Sequence, residues 1–136
     1  MRLRLIISVM LITVCAMVHS QSLIGLTKEE VKVIVKKEHR RFRKDNAVVK
    51  QQFNYLKYVN VNKTRTWILY FTKEDICKTS KLICDYSEYD DVLDHLSSSY
   101  ENVGESQWEY TQDSDTFQVN LTKEEWYFTV RETRKE

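Results

Sequence analysis

The chain has 136 residues, 21 Lys or Arg against 20 Asp or Glu, no proline and only two glycines, Gly25 and Gly104. That composition excludes a flexible linker, a low-complexity tail and any glycine-rich phosphate loop. The net charge of +1 hides an asymmetry: Lys28 to Lys57 carries ten cations against four acids, whereas Leu82 to Val119 carries ten acids and no Lys or Arg. An acidic half can attract a cationic ligand or pair with the basic half.

At the N-terminus, Arg2 and Arg4 precede an apolar run from Leu5 to Val18, and Val18 and Ser20 suit the minus-three and minus-one places of a cleavage site before Gln21. The run is shorter than the roughly 20 apolar residues that span a bilayer. Residues 1–20 therefore read as a signal peptide, and 21–136 as a single secreted domain with no membrane contact after cleavage. Asn62-Lys63-Thr64 and Asn120-Leu121-Thr122 are N-glycosylation sequons, which agree with export. Cys15 leaves with the signal, so Cys77 and Cys84 remain as an even pair, and a disulfide between them is the simple expectation.

Within that domain, Leu26-Thr27-Lys28-Glu29-Glu30-Val31 combines a capping box with a hydrophobic staple. Val31, Ile34, Val35 and Phe42 follow at helical spacing and predict a helix over about 27–44. The period then becomes two. Trp67, Leu69 and Phe71 alternate with Thr66, Ile68 and Tyr70, which reads as a strand whose hairpin partner is Phe53 to Val61, with Asn62-Lys63 at the turn. Further strands are expected around Lys81 to Tyr86, Ser106 to Thr111, Thr116 to Leu121 and Trp126 to Arg131, so antiparallel strands occupy about 53–133. Asn120 would face solvent if Val119 and Leu121 face the core. Tyr89 to Tyr100 suits either a short helix or an irregular strand, and Leu121 to Glu125 repeats the earlier capping pentapeptide, although strand is preferred there. The fold class is α+β, mainly β: an N-terminal helix followed by a curved antiparallel sheet or a small, incomplete barrel.

No catalytic, metal-binding or nucleotide-binding signature emerges. His95 beside Asp91 and Asp94 is better read as a surface histidine than as a ligand, and Ser97-Ser98-Ser99 lack the strand-turn-helix setting of an activated nucleophile. Cys77 and Cys84 are too far apart for a redox C-x-x-C motif. His39-Arg40-Arg41-Phe42-Arg43-Lys44 fits a polyanion such as heparin or a dibasic processing site, but a solvated helix face with cations at its C-terminal end explains the same residues without a ligand and is preferred. Nucleic acid does not suit a secreted chain of near-zero charge.

The stretch Tyr58-Val59-Asn60, Asn62 to Tyr70 and Cys77, followed by Tyr86 to Asp91 and Ser99 to Asn102, resembles the salivary lipocalins of ticks. The resemblance implies a β-barrel that sequesters histamine, serotonin or a lipid mediator without a cofactor. The general lipocalin Gly-x-Trp is absent, since Arg65 stands two residues before Trp67, and the chain is short for a full barrel. With aromatics and carboxylates as holders of cationic amines, Trp67, Asp85, Glu88 and Trp108 become candidate ligand residues. The expected function is a secreted, non-enzymatic binding protein for a small amphipathic or cationic ligand. A helix followed by a curved sheet also resembles cystatin-like proteins, which implies a protease inhibitor or protein-interaction module, although the Gln-x-Val-x-Gly turn is absent.

Overall fold

The computed structural model describes residues 22–46 and 53–136; the expected signal peptide and cleavage position lie outside them. The first helix, α1, spans Lys28–Glu38. Its start is the expected capping box: Thr27 Oγ1 accepts from the Glu30 amide and the Glu30 carboxylate accepts from the Thr27 amide, each at 3.3 Å. Just before it, Gly25 turns the chain at φ +91°, where a Cβ would also stand 2.7 Å from the Arg134 guanidinium.

The helix stops six residues short of the predicted Lys44. After His39 the chain turns, and Phe42–Lys44 forms β1, an edge strand paired with β2 (Tyr55–Asn60). Phe42 lies seven residues beyond Val35, as a helix would require, but its ring finds Trp67 on the sheet at 5.3 Å. Burial against the sheet thus overrides local periodicity. β3 (Arg65–Phe71) returns from β2 through the expected turn, which Asn60 organises: its Oδ1 accepts from the amides of Thr64 and Arg65, both at 2.9 Å. β4 (Cys77–Cys84) completes a four-strand meander.

A 3-10 turn at Tyr86–Glu88 leads into α2, Tyr89–Ser99, which resolves the ambiguous segment as a helix. Its three serines are exposed, and Ser98 Oγ donates to the His95 carbonyl. A second meander follows: β5 (Glu101–Gly104), β6 (Gln107–Gln112), β7 (Asp115–Lys123) and β8 (Phe128–Arg134). Asp113 and Ser114, both at positive φ, make the two-residue β6–β7 turn. The repeated pentapeptide at Leu121 to Glu125 starts no helix, and Trp126, expected at the head of the last strand, sits in the β7–β8 connection with 80% of its surface exposed.

All eight strands form one open antiparallel sheet in the order β1-β2-β3-β4-β8-β7-β6-β5. The sheet is therefore two helix-plus-meander halves joined where β4 pairs with β8, whereas an up-and-down barrel would pair each strand with its successor. In β7, Val119 and Leu121 are buried and Asn120 alternates with them, half-buried on the other side. The inward alternation of the strands faces both helices. α1 lays Val31 and Val35 on Leu56, Tyr58, Leu69, Phe71 and Phe117, while α2 lays Val92 and Leu96 on Trp108, Val119, Leu121 and Phe128.

This arrangement overturns the expected Cys77–Cys84 disulfide. The two cysteines begin and end the same strand, about 23 Å apart at strand rise, against the roughly 4–7 Å that a disulfide spans. Both are buried free thiols, one in each core cluster, and burial pushes each thiol up to about 12.

Candidate functional site

Two helices on one face of a wide sheet cannot cover its middle. Between them lies a cavity of about 350 Å³, joined to an inner recess of about 60 Å³ by shared walls at His39, Trp67, Ser80, Tyr100 and Glu132. Its floor is the seam of the sheet: Ser80 and Leu82 of β4 stand opposite Glu132 and Val130 of β8. Its sides are Trp67 of β3, His39 just past α1, Val92 and Leu96 of α2, and Tyr100 at the end of α2. The lining is mixed: Phe42, Trp67, Tyr100 and five Leu or Val side chains stand with His39, Arg65, Ser80, Asp91, His95 and Glu132, an apolar wall with polar groups to orient a ligand.

Glu132 is the chemical centre. Its Oε1 accepts from Tyr110 Oη and, at 2.8 Å, from Ser22 Oγ. Its Oε2 accepts no hydrogen bond from any described residue. Burial raises the pKa of this carboxyl above the usual carboxylate range, and the two donated hydrogen bonds only partly offset that. The same burial, helped by the Glu132 charge, pushes the Tyr100 phenol up to about 12. Ser22 reaches the site because the segment Ser22-Leu23-Ile24 is itself buried beside the recess, with the Ser22 amide donating to Gln112.

The aromatic wall is held edge to face. His39 meets the Trp67 ring at 5.0 Å between centroids, and Trp67 Nε1 donates to Ser80 Oγ at 2.7 Å. Burial lowers the pKa of His39, the nearby Glu38 charge opposing this. Tyr100 and Tyr110 stack at 4.5 Å, and the Tyr110 hydroxyl donates to the carboxylate. A carboxylate with a free oxygen among ring faces can neutralise and hold a cation.

Of the four residues named from sequence, only Trp67 lines this cavity. Asp85 is exposed and caps the 3-10 turn through the Ser87 amide. Glu88 accepts from Thr64 Oγ1 at 2.7 Å and from Arg65 at 2.8 Å, and these bonds, Arg65 first, hold its carboxyl below the usual range. It borders a separate polar depression that meets the cavity at Phe42, Arg65 and Asp91 and has Asn62 on its wall. Trp108 is core, 2% exposed, with an indole N–H that has no partner among the described residues. Glu132 itself was legible in principle: carrying the Phe128, Val130 alternation two residues on places it inward.

Among the described residues no three His, Cys, Asp or Glu side chains gather as a metal site. No protein-family model, curated protein or solved structure matches this chain.

Proposed function

We propose that this chain is a secreted, non-enzymatic binding protein that holds a small amphipathic cation, such as a biogenic amine, in the cavity at the seam of the sheet. The observation that carries the reading is the Glu132 carboxylate, half engaged by Ser22 and Tyr110 and otherwise turned to an aromatic-walled space of about 350 Å³. An ammonium group would complete its hydrogen bonding and neutralise its charge, while an attached ring would lie against Trp67, His39 and Tyr100. The lipocalin resemblance points to the same ligand class. A glycan on Asn62 would lie over the neighbouring polar depression without entering the apolar cavity.

Calorimetric titration of histamine into the protein, with Glu132→Gln and Glu88→Gln beside it, tests the proposal. Saturable binding at micromolar or tighter Kd is expected, about tenfold or more weaker in Glu132→Gln and unchanged in Glu88→Gln. Absence of heat with histamine, and no binding of serotonin, would sink the amine reading and leave a lipid ligand to pursue.

A second reading, a cystatin-like interaction module, has the element order in its favour: α1 followed by the β1–β4 meander, and α2 followed by β5–β8. Inhibition of a papain-type protease at micromolar protein would favour it over ligand capture.

A further inference from the structure

The basic run that α1 was expected to display on one solvated face is instead split by the turn at His39, and the split brings its charges together. Lys32, Lys36, Arg40, Arg43 and Lys44 line one groove of about 300 Å³ between α1 and the edge strand β1, floored by Val35, Phe42 and Tyr58. Lys32 is engaged with Glu29 at 3.0 Å. Among the described residues none of the other four meets a carboxylate within ion-pair distance. Two are pre-oriented: Arg40 Nε donates to the Lys37 carbonyl and Arg43 donates to the Arg40 carbonyl, each at 3.4 Å, which leaves most of each guanidinium fork free.

Two structural roles account for parts of this charge. Lys36 and Lys37 suit the last turn of a helix, and cations on β1 discourage pairing with another chain. Neither role requires residues from the helix, the turn and the strand to converge on one groove. We propose that this groove binds a linear sulfated polysaccharide, with Lys36, Arg40, Arg43 and Lys44 each taking a sulfate or carboxylate of the chain. Single-stranded nucleic acid carries similar charge but needs open aromatic faces for its bases. Here Tyr58 is 5% exposed and Phe42 is turned edge-on to Trp67, so the groove offers charge without a stacking platform.

The test is heparin-fragment binding by the full chain at several salt concentrations. The triple variant Lys36→Ser/Arg40→Ser/Lys44→Ser is compared with Lys73→Ser/Lys78→Ser/Arg131→Ser, which removes equal charge from exposed sites elsewhere. The groove variant should lower the slope of log affinity against log salt by about three, roughly one per lost contact, and elute from heparin at clearly lower salt. The control should change the slope by less than about one. Lys36→Arg/Lys44→Arg keeps the charge and should keep the binding, which separates loss of contacts from loss of fold. Equal losses in the two triple variants would show attraction to net charge alone and overturn the proposal. Equally tight binding of desulfated heparin, or of a single-stranded oligonucleotide of matched charge, would overturn it too.

Discussion

The two halves of the sheet share a layout and differ in nearly everything their surfaces carry. Each is a helix laid over a four-strand antiparallel meander, and each buries two aliphatic residues of its helix against aromatic rings. Yet the α1 half is basic and groove-forming, whereas the α2 half spans a stretch with ten acids and no Lys or Arg. Inward alternation is thus enough to specify a half, and the outward charge is free to diverge. The amine-binding proposal sits where neither half is complete, at the β4–β8 seam; the polysaccharide proposal sits wholly on the basic half.

If the seam makes the halves one cooperative unit, large losses on either side must lower a single transition. Phe128→Ala removes a ring with no exposed surface that meets Tyr89 at 5.2 Å, and should cost about 3–5 kcal/mol in denaturant unfolding. Leu69→Ala, in the other core, should cost about 2–5 kcal/mol. The two buried thiols report on the halves separately, Cys77 in one cluster and Cys84 in the other. Iodoacetamide should label neither in the native protein and both at the same denaturant midpoint. Labelling of one thiol well before the other would show that the halves open independently.

The seam carries its own pH signature. Burial raises the Glu132 carboxyl above its unfolded value, so the fold favours the protonated form. The contribution of this carboxyl to stability should be fully present below its unfolded value, near pH 4, be lost as pH rises to the folded value and stay level beyond it. Glu132→Gln should flatten that fall in thermal melts. Amine binding needs the ionised form, so histamine affinity should rise with pH over the same interval. A parallel fall in affinity would place the ligand elsewhere.

The halves also begin their helices differently. Thr27 gives α1 a full capping box, while Glu88 at the N-cap of α2 makes no side-chain cap bond, and the chain enters through the Asp85-capped turn. Thr27→Ala should therefore cost about 1 kcal/mol, read by denaturant midpoint. Asp85→Ala should cost less, since it caps the turn and not α2 itself.

How much of this was legible from the residues follows from the range of each signal. The α1 start, the β2–β3 hairpin around Asn62-Lys63 and the β7 alternation are local, and the chain displays them directly. The edge strands β1 and β5 are not, because Phe42-Arg43-Lys44 and Glu101-Asn102-Val103-Gly104 have no alternation of their own and become strands only beside a partner's backbone. The β4–β8 pairing joins segments some fifty residues apart, and no turn announces it. That one pairing hides the site: it puts Ser80 opposite Glu132 and leaves Asp85 and Glu88, which composition had favoured, at the rim. The disulfide expectation failed for a more local reason: the short Cys77–Cys84 interval is close in sequence but fully extended as the single strand β4.

The smallest effect concerns the rim carboxylate, and it runs opposite in pH to the seam. Glu88 is held below its ordinary value by Arg65 and Thr64, so its contribution is present above the unfolded carboxylate range and is lost as pH falls through the folded value. The Arg65 and Glu88 side chains remain 30% and 18% exposed, and solvent screens the pair, which limits the gain to below about 1 kcal/mol. Glu88→Gln should lower stability by that much at pH 7 and lessen the loss on acidification. Glu132→Gln should raise stability at pH 7, because it removes a charge the fold disfavours. If both substitutions move stability the same way at pH 7, the two carboxylates share one electrostatic environment, and the separation between cavity and rim fails.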